Sequence, residues 1–164
     1  MKAAPNSTQG NPGRTVLVVA GVVATAPGAW WVGHALNNSE GAVPADQADY
    51  LWRPLSLSTA TSAAVGLGAL VLVGGALAVL VRQVRSGRWR TGWLQVAAAS
   101  AMLCSYAGLL VAVATAPVIG ANIGAGMMLL GAAPVGLGAV IWIVIALVHL
   151  RSAVRVLQAV PPSA

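Results

Sequence analysis

The chain has 164 residues, of which 58% are apolar and 7% charged, and its mean hydropathy is +0.82. Soluble domains carry about 25% charged residues, so an ordinary soluble globular domain is excluded, and so is a polar disordered chain. The net charge of +6 fits nucleic acid or anionic lipid in general. Here the bases adjoin long apolar runs, so membrane orientation explains them and no nucleic-acid partner is expected.

A helix crossing a hydrocarbon core of about 30 Å needs roughly 20 apolar residues. Four stretches meet this length without a single Asp, Glu, Lys or Arg: 15–36, 58–81, 93–116 and 126–150. Transmembrane strands would alternate in polarity, and nothing here alternates. The expected fold is an all-α integral membrane protein, four transmembrane helices in an antiparallel bundle. Around the 15–150 membrane domain, residues 1–14 read as a disordered cytoplasmic N-terminus and 151–164 as a short cytoplasmic tail, helical to Val160 and ended by Pro161 and Pro162.

The first span has the outline of a signal peptide, with Ala24-Thr25-Ala26 as a small-residue site. Pro27 would follow the cut, and the apolar run continues past it, so the span is expected to stay as an anchor. Pro27 and Pro134 are expected to bend their helices, since each removes a backbone donor.

Orientation follows from the bases. Lys2, Arg14, Arg82, Arg85, Arg88, Arg90, Arg151 and Arg155 all fall on one side of a four-span chain. Arg53 and the three acids, Glu40, Asp46 and Asp49, fall on the other. Both termini are therefore expected in the cytoplasm. Trp89 and Trp93 flank the inner interface, and Trp30, Trp31 and Trp52 the outer one, the level that suits an apolar ring with one N–H. One Lys against eight Arg, with no Phe, fits a GC-rich bacterial genome. The expected location is the bacterial inner or plasma membrane, as a multi-pass protein.

The outer loop 37–57 is the longest connection. Its piece Ala45–Arg53 reads as a short helix on the membrane, stopped by Pro54, with Asp49 and Arg53 spaced to pair. His34, Glu40, Asp46, Asp49 and Trp52 form a possible outer interaction site, although a solvated loop accounts for the acids as well. The inner loop 82–92 carries Arg82, Arg85, Arg88 and Arg90, placed to meet anionic lipid headgroups. The second outer loop, 117–125, is short and glycine-rich. No repeat or heptad run is evident.

Small residues drive helix association in lipid. The third span shows them at four-residue steps: Ser100, Cys104, Gly108, Ala112 and Ala116. This stripe is expected to face another helix, in the chain or in a partner.

No ionisable residue lies at mid-membrane, where one would mark a functional site. The lone cysteine, Cys104, excludes an intrachain disulfide and a cysteine zinc site. His34 and His149 sit at opposite membrane edges, about 25 Å apart along the helices, too far to share a metal. Ser105 and Tyr106 have no His or carboxylate in reach to activate a nucleophile. No cofactor is expected. The leading expectation is a non-catalytic accessory, assembly or structural membrane component, partnered by the bilayer and by a larger membrane protein or copies of itself. The alternative is an oligomeric transport or channel component for a neutral or lipophilic solute, with a wet path along Ser62, Ser100, Ser105, Tyr106 and Thr115. A third reading, a lipid enzyme using His34 and the outer acids, has the least support.

Overall fold

The computed structural model describes residues 12–36, 49–118 and 122–159. They form four helices: α1 (Pro12–Leu36), α2 (Thr59–Arg85), α3 (Thr91–Ala114) and α4 (Ile123–Ala159). Each is long and apolar enough to cross a membrane, and the chain is a multi-pass, all-helical membrane protein.

The ends differ from the expected bounds for local reasons. Pro12 opens α1, where a missing N–H removes nothing because the first turn has no intrahelical acceptor for it. Residues 12–14, assigned to a disordered terminus, are therefore helical. Ser58 caps α2, its Oγ accepting the Thr61 N–H at 3.1 Å. α2 runs past the expected end to Arg85. It stops where Gly87 takes φ +68°, a left-handed conformation that glycine adopts without a Cβ clash. The Gln83 carbonyl then accepts the N–H groups of Arg88 at 3.1 Å and Trp89 at 3.2 Å, which closes the turn. α4 continues through Arg151 and the tail to Ala159.

The short helix expected over Ala45–Arg53 is not formed over its described part, 49–53; residues 45–48 lie outside the described residues. The backbone donors there bond elsewhere. Asp49 and Val118 exchange N–H···O bonds of 2.9 and 3.2 Å as an isolated bridge, and the Trp52 N–H donates to the Ala114 carbonyl at 3.0 Å. The second bond satisfies one of the carbonyls that a helix end leaves open. Without the helix, the four-residue spacing that would pair Asp49 with Arg53 is gone.

The helices lie in the order α2, α1, α3, α4. α1 packs on both α2 and α3, α2 and α3 meet only narrowly, and α4 rests on α3 alone among the described helices. Along α1 and α2 the contacts are Gly21 with Ala76, Gly28 with Ala69 and Trp31 with Gly66, so numbers rise on one as they fall on the other. α1 and α3 run the same way: Thr25 meets Ala101, Ala26 meets Gly108 and Gly33 meets Ala112. α3 and α4 oppose, with Gly92 on Leu150, Tyr106 on Gly131 and Val113 on Gly124.

No heptad run was expected, yet α3 and α4 share a seven-residue rhythm. On α4 it is Ala125, Ala132, Ala139 and Ala146; on α3 it is Gly92, Ala99, Tyr106 and Val113. Ala99, Ala125, Ala139 and Ala146 are 0% exposed. Such a repeat keeps one seam facing the neighbour.

Candidate functional site

At the end of the bundle that carries residues 49–58, hereafter the loop end, a half-enclosed cleft of about 1210 Å³ opens between α2 and α3. α1 is its floor, through Ala26, Pro27, Trp30, Trp31 and His34. Thr59, Ser62, Ala63 and Val65 of α2 form one wall, and Ala107, Gly108, Val111 and Thr115 of α3 the other. The segment Trp52–Leu57 crosses the rim, with Trp52, Arg53 and Pro54 among the lining residues. Nothing from the opposite half of the bundle, residues 74–103, lines it. The cleft therefore stops near mid-depth.

Glycine sets its geometry. A Cβ on Gly66 would lie 2.1 Å from Cγ of Trp31, so only glycine lets that indole lie against α2. A Cβ on Gly108 would lie 2.0 Å from the Ala26 carbonyl oxygen and 3.0 Å from the Trp30 nitrogen. That brings the α3 backbone onto α1, while α2 and α3 meet only narrowly. Trp30 stacks on His34, one helical turn on, with centroids 5.9 Å apart and planes at 17°.

The walls offer little polarity. The Ser62 hydroxyl donates to the Thr59 carbonyl at 3.0 Å, and the Thr115 hydroxyl to the Val111 carbonyl at 2.7 Å. Both bond within their own helices, as buried hydroxyls in membrane helices do. Among the described lining residues there is no carboxylate or thiol, and Arg53 is the one arginine or lysine.

The expected site residues are dispersed. His34 and Trp52 line the cleft. Asp49 is bridged to Val118 through its backbone and does not line the cleft. Glu40 and Asp46 lie outside the described residues. Arg82, Arg85 and Arg88 are exposed at the opposite end, near the turn at Gly87, while Arg90 is half-buried and its Nη1 donates to the Leu150 carbonyl at 3.0 Å. Arg90 thus ties α3 to α4.

In the small-residue stripe, Gly108, Ala112 and Ala116 are buried, and Ser100 and Cys104 are half-buried. Four-residue steps drift by about 40° each on a helix of 3.6 residues per turn, so the five positions wind around α3. Gly108 and Ala112 meet α1. Tyr106, expected on a wet path, donates its hydroxyl to the Met128 carbonyl of α4. Among the described residues no group of three His, Cys, Asp or Glu side chains is placed to hold a metal.

Asn122 was not singled out from sequence. Its Oδ1 accepts the Ala125 N–H at 2.9 Å and its Nδ2 donates to the Val113 carbonyl at 2.8 Å. It caps α4 and holds that cap to the end of α3. An Asn just before an apolar run is the signal that would have found it. No family model, curated protein or solved structure matches this chain.

Proposed function

We propose that this chain is a non-catalytic accessory or assembly component of a bacterial cell membrane, with four spans and both termini in the cytoplasm. The observation that carries the reading is the open row of helices: α4 has one neighbour and α2 little more than one. Long apolar faces are thereby left for lipid or a larger partner, including Leu67, Val71, Leu130 and Leu137, all more than half exposed. The orientation is supported by Arg82, Arg85 and Arg88, exposed together at the turn end while Arg53 stands at the loop end. The Arg cluster also suits anionic headgroups there.

A second reading, transport of a lipophilic solute, is favoured by the cleft alone. Against a conduit, the cleft ends near mid-depth, and of the five polar residues expected to line a path only Ser62 and Thr115 reach it. The test is purification of the tagged chain in native lipid, followed by mass spectrometry of what accompanies it. A stoichiometric larger membrane protein is the expected result. A lone homo-oligomer overturns the accessory reading and calls for flux assays.

A further inference from the structure

The depth of the cleft and the chemistry of its mouth select a class of ligand. The cleft occupies one half of the bundle. An acyl chain reaches about 15 Å, half of a core about 30 Å thick, whereas a partner helix crossing the membrane needs the whole depth. The inner walls are Ala63, Val65, Ala107 and Val111, and the Ser62 and Thr115 hydroxyls already donate to carbonyls of the preceding turn. These walls favour an apolar chain over a polar solute. At the mouth stand the exposed Trp52 and the exposed guanidinium of Arg53, and the indoles of Trp30 and Trp31 lie on the floor of the same cleft. Indoles favour the headgroup level, and a guanidinium matches a phosphate with paired donors.

We propose that the cleft is a lipid site, holding the acyl chain of an anionic phospholipid with its phosphate on Arg53. The site rests on the membrane reading above and on neither proposed role. Arg53 is the only Lys or Arg assigned to that side of the chain, so the positive charge at the mouth does not belong to a basic surface.

The test uses the purified full chain in detergent, offered dioleoyl phosphatidylglycerol or dioleoyl phosphatidylcholine, with native mass spectrometry of what is retained. One phosphatidylglycerol per chain is expected, with several-fold less phosphatidylcholine. Arg53→Gln should lower phosphatidylglycerol retention about fivefold, the worth of one base near an anionic surface, and leave phosphatidylcholine retention as it was. Because Arg53 is exposed, this variant should melt with the wild type. Ala63→Trp, which fills the cleft and keeps the arginine, should abolish retention of both lipids. Equal retention of the two lipids overturns the proposal. So does phosphatidylglycerol retention that survives either substitution, or a membrane protein that binds the wild type and not Ala63→Trp while no lipid is held. A partner found without lipid sinks this site and leaves the accessory role standing; lipid retained by a chain without a partner does the reverse.

Discussion

α1 and α4 are both apolar on all sides, yet they are held by different balances of contact. α1 has two neighbours and meets them through close backbone approach. A Cβ on Gly21 would lie 2.1 Å from Cβ of Ala76, and one on Gly108 would strike the Ala26 carbonyl. α4 has one neighbour and is tied to it by hydrogen bonds at three depths: Arg90 to the Leu150 carbonyl, Tyr106 to the Met128 carbonyl, and Asn122 to the Val113 carbonyl. Its other faces carry Met127, Leu130 and Trp142, 69%, 80% and 45% exposed. In lipid, apolarity alone does not bring helices together, so association uses either dispersion at short range or polar contacts between helices. One helix of this protein relies chiefly on the first, the other adds the second.

Exchanging the glycine on the crowded side is the strongest way to break this contrast. Gly108→Ala places a methyl group against backbone that cannot swing aside, so α1 and α3 must part. A loss of about 1–3 kcal/mol is expected, the range for overpacking, read from reversible unfolding in micelles. Gly138→Ala on α4 is the matching control. Nothing stands within 4 Å of that Cβ, so it should be neutral or mildly stabilising, as for alanine replacing glycine within a helix. Equal losses for the two would remove the distinction between the helices.

Asn122→Ala is expected to cost about 1 kcal/mol, because it deletes the cap together with a tie to α3. Hydrogen exchange should rise first in the opening turn of α4 and leave α1 unchanged. The smallest loss should come from Tyr106→Phe, about 0.6 kcal/mol, the average for a hydrogen bond between membrane helices. A double-mutant cycle with Asn122→Ala should give additive losses, since the two contacts lie at different depths of α4. Strong coupling would mean that α4 is released as one rigid piece.

The four helices were legible because length and lack of charge are one-dimensional properties. Their neighbours were not. The seam of Ala125, Ala132, Ala139 and Ala146 is visible as a spacing, but its setting is apolar on every side, so no polar face marks which residues turn inward. The tryptophans were legible as interface residues one by one. Their convergence depends on Trp52 reaching Ala114 across 62 residues of chain, and on Gly66 making room for Trp31. The Ala45–Arg53 helix failed for the same reason: local spacing favoured it, and carbonyls from α3 and the segment after it took the donors. In the sequence Arg53 is only the exception to a charge rule, and the folded chain sets it at the mouth of a cleft.

The bridge between Asp49 and Val118 also orders events in time. Its two residues are 69 positions apart in the chain. At a synthesis rate of about 5–20 residues per second, the second arrives roughly 3–14 s after the first. During that interval the hairpin of α1 and α2 can form, while the segment that will rim the cleft has nothing to hold it. The ribosome thus delivers the floor and one wall first, and leaves the pocket unroofed and open to the surrounding bilayer until α3 is in place.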